Sequence, residues 1–499
     1  MPRLSKVTTD IIGYIPATIL PPVISFLGVV YFSRTLGPTV FGKYILVLVT
    51  TRMLALILQG WISHDIFRFH ADKTLLPTDE ARAAYRTNLT LAFLVTLGLG
   101  VGILVVIFRL LRLSPILPWL AVGAMTLASV SLFNALKMVR RATMDIVNLN
   151  KLALLGTIVS VGMGSGYLAL HGPDLLGLLA FLAAGKLGVM AFFIPWKSIL
   201  GTLSGAARIS WPMLRTFVIY GFPLSLATIG HQIMSISNRY FIEYYHGTAD
   251  VGVYSAAYEL FFRTFALGFP FIGAAVMPHM MRSFDSGNQA EAARLYKKAG
   301  YLLLLFLAPT TGFAIIYGKQ LLDFVFGEAY SGVPLSVIQL VTLSAFFWVM
   351  TTYQYRILML VKKTQYNALS SLVAALLNLI GNALLIQRYG IVGAAMSTAI
   401  SYTVLTIIIQ RLAKRSFEFV PLAMPTIFLF LGLGIMGAWA ANFLTSSLGL
   451  AVEGKEAIVS IVYFAAFLLL TFILFQLMVI WNKNVRKYEF SLLKNLGIK

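Results

Sequence analysis

The sequence has no cysteine in 499 residues, which excludes disulfides, thiolate nucleophiles and Cys-ligated zinc. Charge is also scarce: Asp, Glu, Lys and Arg make up 11% of the chain, against about 25% in a soluble domain. Acidic residues are the rarer sign, 18 against 39 basic ones, and Glu259 is the clearest of them inside an apolar run. The six histidines are scattered without metal-ligand spacing. No phosphate-binding loop, Gly-x-Ser-x-Gly or His-Glu-x-x-His motif occurs. The chain therefore reads as a non-enzyme with neither metal nor cofactor, although coupling to a proton or sodium gradient stays open. Period-two alternation is missing as well, so a transmembrane barrel is excluded and helices must satisfy the backbone in lipid.

What the chain has is apolar length. Hydrophobic residues reach 59% and the mean hydropathy is +0.84. Runs of roughly 20 residues, enough to cross a bilayer core as a helix, repeat from end to end. They fall at 10–33, 42–64, 89–111, 115–137, 152–171, 174–196 and 216–240. The rest fall at 251–277, 299–318, 335–360, 366–387, 391–411, 422–444 and 457–481. The first run is too long for a cleavable signal and lacks a small-residue cleavage site. The fold class is an all-α polytopic membrane protein with about 14 transmembrane helices. Alternate connecting segments carry 27 Lys and Arg on one side and 8 on the other, which puts both termini in the cytoplasm. The net charge of +21 is thus mostly a topology signal. It implies contact with membrane lipids rather than nucleic acid.

One hairpin occurs twice. Tyr31-Phe-Ser-Arg-Thr-Leu-Gly-Pro-Thr-Val-Phe-Gly-Lys-Tyr44 is echoed by Tyr240-Phe-Ile-Glu-Tyr-Tyr-His-Gly-Thr-Ala-Asp-Val-Gly-Val-Tyr254. In each, Tyr-Phe closes one apolar run, a Gly-containing turn follows, and Gly-x-Tyr opens the next. The copies lie six spans apart and so run in the same direction, which predicts two lobes related by a pseudo-twofold axis along the membrane normal. Residues 1–205 form the first six-helix lobe and 206–418 the second. Residues 419–499 add two helices and a cytoplasmic tail.

Arg52, Lys186 and Arg263 stand within apolar runs, about 10 to 12 residues from the outer ends of spans 2, 6 and 8. At 1.5 Å per residue that depth is about 15–18 Å, near the bilayer centre. A cation there costs at least about 2.5–3.5 kcal/mol, and three at one depth predict a shared aqueous cavity that binds an anion. For each alone, a structural ion pair or a snorkelling chain is the ordinary alternative. Arg263 has such a partner in Glu259 at i−4, which is also the candidate for proton coupling. Arg52 follows Tyr44 by eight residues and Arg263 follows Tyr254 by nine, which in regular helices turns the two arginines about 100° apart. In span 7, Thr228, His231, Gln232, Ser235, Asn238 and Arg239 form a polar stripe at i, i+3, i+4 spacing. This face is predicted to look into protein or water; for Arg239 an i+4 pair with Glu243 near the outer end is the ordinary reading, and cavity lining the rarer one. Arg356, near the inner end of span 10, completes the cationic set. Aromatic residues at the outer ends of spans 1, 7 and 8 fit an interfacial belt, and Pro16, Pro21 and Pro22 predict a kink in span 1.

Phe32-Ser-Arg-Thr-Leu-Gly-Pro-Thr-Val-Phe-Gly-Lys-Tyr44 resembles the signature of Wzx-type polysaccharide flippases in the MOP exporter superfamily. Leu377-Asn-Leu-Ile-Gly-Asn-Ala-Leu-Leu-Ile-Gln-Arg-Tyr-Gly-Ile-Val-Gly-Ala-Ala395 is similar to that family's pattern over spans 11 and 12. The resemblance implies alternating access of two lobes around a cationic cavity. It further implies transfer of an undecaprenyl-diphosphate-linked oligosaccharide from the inner to the outer leaflet of the cytoplasmic membrane. Partners would then be the lipid-linked oligosaccharide and other polysaccharide-assembly proteins. Lipid II flippases of the same superfamily carry arginines on span 1, where this chain has none before Arg34, so the polysaccharide type is preferred. The rival readings are a drug/cation antiporter of the same fold, which would want intramembrane carboxylates, and a polytopic lipid-linked glycosyltransferase or polymerase. The last would want paired acidic residues or a long loop on the outer side.

Overall fold

The computed structural model describes residues 6–70, 76, 78–194, 209–361, 363–416 and 424–447, and every regular element among them is helical. The first five helices are α1 (Lys6–Phe69), α2 (Asp79–Leu110), α3 (Ile116–Ala142), α4 (Ile146–His171) and α5 (Leu175–Phe193). Then come α6 (Trp211–His246), α7 (Thr248–Ala257), a π-helical turn (Tyr258–Phe262) and α8 (Arg263–Asp285). Last are α9 (Gln289–Phe326), α10 (Leu335–Leu360), α11 (Thr364–Ser416) and α12 (Met424–Ser447). Among the described residues eight helices are long and apolar enough to cross a membrane, and the protein is a multi-pass membrane protein. The first thirteen predicted spans all fall on helices. The fourteenth, 457–481, lies outside the described residues, as do the cytoplasmic tail and the link around Lys197.

Two pairs of spans join without a loop. Spans 1 and 2 merge into α1, where only Gly37 leaves helical dihedrals (φ 70°, ψ 169°). Pro38 follows as the first residue of the next limb, a position that does not need its missing N–H. The sequence reads a tight turn at Gly37-Pro38, and the structure places it at this one glycine. Gly247, between α6 and α7, takes nearly the same conformation (φ 91°, ψ 179°). Both values of φ are open to glycine and strained for other residues. Spans 11 and 12 join likewise in α11 at Gly390. Pro16, Pro21 and Pro22, where the sequence predicts a kink, stand inside α1 with helical dihedrals, Gly37 alone departing from them. A proline ring fixes φ near the helical value, so it removes a hydrogen bond without forcing the dihedrals out.

By contacts the chain divides into Met1–Gly252 and Val253–Lys499. This division differs from the lobes read from the repeat because α6 packs along α1. In the first unit the second limb of α1 and α6 run antiparallel. At one end, a Cβ on Gly42 would come 2.0 Å from the Thr248 carbonyl, and one on Gly252 would come 2.0 Å from the Pro38 carbonyl. The two copies of the hairpin therefore meet backbone to backbone through equivalent glycines. Farther along, the Thr50 and Tyr240 hydroxyls hydrogen-bond at 2.5 Å. Gly60 faces Ser225, Gly221 faces the Trp61 carbonyl, and the rings of Phe69 and Phe217 stack 5.6 Å apart.

In the second unit α9 and α12 pack through Gly312 and Gly434, where a Cβ on either would strike the opposite backbone at 2.1–2.2 Å. Close backbone approach of this kind is how helices gain dispersion contact in lipid. The paired asparagines of 377–395 hold the two limbs of α11 together. Asn378 Nδ2 donates to Ser397 Oγ (3.2 Å), Ser397 Oγ donates to the Asn378 carbonyl (2.9 Å), and Asn382 Nδ2 donates to Asn378 Oδ1 (3.1 Å). Gly393 admits the Leu385 carbonyl where a side chain would not fit.

Candidate functional site

In the first unit the fold brings Arg52 and Lys186 together and adds a third cation. The Lys186 ammonium lies 4.5 Å from the centre of the Phe133 ring, and that of Lys137 lies 4.9 Å from the same ring. Arg52 and Lys137 both act on Lys186 as like charges. Three helices thus supply one cationic cluster: Arg52 from α1, Lys137 from α3 and Lys186 from α5. Phe133, one turn before Lys137 on α3, provides the π face that attracts both ammonium groups. Lys186 makes no ion pair with a carboxylate among the described residues. In the sequence Lys137 stands at the inner end of span 4 and reads as one of the 27 topology charges; the signal that marks it out is Phe133 at i−4.

Of the polar stripe on α6, Asn238 and Arg239 are buried, while His231, Gln232 and Ser235 are half-buried. The side chain of Thr228 lies outside the described residues. Arg239 Nη1 donates to the Ser235 carbonyl and to Asn238 Oδ1. Among the described residues no Arg239–Glu243 ion pair occurs, and Glu243 Oε1 accepts from the Thr248 hydroxyl at 3.0 Å. Thr248 opens α7, and the Gly247 turn swings it back over the last turn of α6.

In the second unit Arg263 Nη1 lies 2.7 Å from Glu259 Oε2, with the glutamate almost wholly buried. That oxygen has no hydrogen bond, so the contact is an ion pair without hydrogen-bond alignment. Glu259 belongs to the π-helical turn, and this turn resolves the spacing anomaly. A π turn accommodates one extra residue in a helix, so Arg263 regains the register that Arg52 holds after Tyr44. The 100° divergence read from regular helix geometry does not arise. Arg356 sits on α10 within electrostatic reach of Tyr296, Tyr353 and Tyr355. The rings of Tyr296 and Tyr353 stack at 4.4 Å, and the Tyr353 hydroxyl donates to the Tyr296 carbonyl.

A cavity of about 270 Å³ opens between α1, α2 and α3, lined by Gln59, His64, Phe93, Ser131 and Asn134 among others. None of the residues singled out from the sequence lines it. Gln59 Oε1 and Ser131 Oγ are buried there without hydrogen-bond partners. Among the described residues no group of His, Cys, Asp and Glu could hold a metal ion.

A family model described as polysaccharide biosynthesis protein matches residues 7–284, more than half of the chain. A model described as lipid II flippase MurJ matches residues 247–470. No curated protein matches the sequence. Among solved structures, lipid II flippase MurJ in an inward closed conformation aligns with a TM-score of 0.71 at 14% identity, over 93% of this chain and 98% of its own. A multidrug resistance MATE family transporter of the MOP superfamily, inward-facing, aligns with a TM-score of 0.63 at 14% identity, over 80% of this chain and 94% of its own. A MOP superfamily transporter from Pyrococcus furiosus, described by the reverse polarity of its binding pocket, aligns at 0.57 and 14% identity, over 82% and 95%. At this identity the likeness is one of fold.

Proposed function

Because the chain belongs to the polysaccharide biosynthesis protein family of the MOP exporter superfamily, we propose that it is a flippase for an undecaprenyl-diphosphate-linked oligosaccharide. It carries the glycolipid from the inner to the outer leaflet of the cytoplasmic membrane by alternating access. The observation that carries this reading is the cluster of Arg52, Lys137 and Lys186 on three helices. Arg52 is exposed and the two lysines are half-buried; like charges so gathered repel one another, and the lysines are costly to desolvate. A diphosphate supplies the opposite charge and the acceptor oxygens that offset both costs. Arg52 offers the planar fork that matches a phosphate, and the two lysines act as point charges. On the other repeat, Arg263 plays the part of Arg52, neutralised by Glu259 until substrate or a proton displaces it. In the first unit Arg239, with His231, Gln232, Ser235 and Asn238, and in the second unit Arg356, are the further residues proposed to meet the substrate. Both termini face the cytoplasm, as the asymmetry of Lys and Arg requires.

The test is export of lipid-linked glycan in cells carrying single substitutions at unchanged protein abundance. Arg52→Ala or Lys186→Ala should abolish export, and Arg52→Lys should keep part of it, because charge survives while the fork is lost. Wild-type export by both alanine variants would overturn the reading. Loss of a cationic dye's efflux, with glycan export intact, would transfer the cavity to an antiporter.

A further inference from the structure

The first unit holds a carboxyl group that the cationic cluster does not use. Asp65 lies on α1 and is fully buried. Neither of its oxygens has a hydrogen-bond partner, and no ion pair among the described residues includes it. Its surroundings come from three helices. On α6, Gly221 lets the backbone approach so closely that a Cβ there would sit 3.0 Å from Asp65 Oδ1. On α2, Tyr85 is buried with its hydroxyl unpartnered, and it interacts electrostatically with Asp65. Around them Leu76, Tyr85 and Phe217 form a core against which Trp61, Phe69, Leu89 and Met213 pack.

Among the described residues the neighbouring charges are directed elsewhere. On α1, His64 lines the cavity toward α2 and α3, and Arg68 is exposed with its guanidinium over Phe69. On α2, Arg82 pairs with Asp79 at 3.2 Å and Arg86 is exposed. On α6, Arg215 is exposed. On α3, Lys137 turns to Phe133 and Arg140 to Asp145. His70, after the end of α1, lies against the Tyr85 ring at 5.9 Å.

An ionised carboxylate in such a place, without donors or counter-charge among the described residues, is strongly unfavourable. A metal cation or a proton could neutralise it. A hard cation asks for six or more oxygen ligands or retained water, whereas the described neighbours offer one phenol among apolar rings. A proton needs only the carboxylate oxygen. We propose that Asp65 is a proton-binding site, occupied while α6 packs on α1 at Gly221 and vacated when the two helices part at that end. Parting admits water to the carboxyl; the proton leaves to that water, and the carboxylate left behind opposes repacking. Proton binding and the packed arrangement are therefore linked, with acid favouring the packed form. As the coupling step of transport this rests on the flippase reading, but proton binding itself does not.

The experiment uses the full chain in lipid vesicles. Infrared difference spectra recorded from acid to alkali should contain a carboxylic-acid carbonyl band that disappears in Asp65→Asn and shifts in frequency in Tyr85→Phe. Spin labels on cysteines introduced at the exposed Phe67 and Ile219 should report a separation that grows as pH rises in the wild type. In Asp65→Asn, which mimics the protonated form, that separation should stay short at every pH. A difference spectrum unchanged by Asp65→Asn, or a pH-dependent separation that survives it, overturns the proposal. A wild type that shows the band and the pH-dependent separation but moves no glycolipid supports the proton site and refutes the flippase reading instead.

Discussion

At the scale of single residues, burial and partners decide what the sequence leaves open. Arg52 and Lys186 are legible because a cation inside an apolar run is costly wherever it points. Lys137 is not, since it stands one turn from Arg140 and Arg141 and reads as a loop charge; only the Phe133 ring shared with Lys186 reveals it. Asp65 escapes for the same reason, being close to the end of its run. The Arg239–Glu243 spacing permits a pair, but a threonine in the next helix takes the carboxylate. Outside the spans, Asp145 caps α4 and pairs with Arg140 at 3.1 Å. The hydrogen bond from the Asn148 side chain foremost, then its backbone N–H and Arg140, holds this carboxyl below its ordinary value against the opposing effect of burial. Its contribution to stability is then fully present above the unfolded-state value and is lost as pH falls through the folded one. Asp145→Ala should cost about 1 kcal/mol and flatten this acid-side dependence, both measurable by thermal unfolding in detergent at a series of pH values.

At the scale of elements, the repeat is legible because glycine spacing is a backbone requirement written directly in sequence. Gly37 and Gly247 each stand five residues before a second glycine and seven before a tyrosine, and both take a left-handed φ. That each turn would be a single residue is not legible, because Gly-Pro also opens ordinary loops. The π turn is half legible: the extra residue between Tyr254 and Arg263 is countable, but only packing shows where it is absorbed. Glycines that look alike in sequence should respond oppositely to alanine. Gly98 on α2 has open space around a Cβ, whereas Gly42 and Gly252 would strike a carbonyl. Gly98→Ala should stabilise by about 0.5–1 kcal/mol, while Gly42→Ala and Gly252→Ala should lower the melting temperature. Matching melting temperatures for all three would show that the backbone contact does not persist in solution.

At the scale of the molecule, the asymmetry of Lys and Arg makes a testable topology. Cysteines introduced singly at the exposed Thr39 and Tyr244 should react with an impermeant reagent added to intact cells, and one at the exposed Ser286 should not. Labelling at 286 would invert the orientation. Gly247 is unsuited to this scan because its φ of 91° would strain a cysteine. The meeting of Gly42 with Thr248 and of Gly252 with Pro38 has a consequence for genetics. A bulky residue in a core is commonly rescued by shrinking its neighbour, but here the atom struck first on each side is a backbone carbonyl, which no substitution removes. Selection for restored transport in a Gly42→Ala strain should return true revertants and changes scattered over the helices that set the spacing of α1 and α6. Trimming Thr248 would remove its Cγ2 contact at 3.0 Å but leave its carbonyl at 2.0 Å, so compensating side chains at Thr248 or Gly252 should be missing from the recovered suppressors.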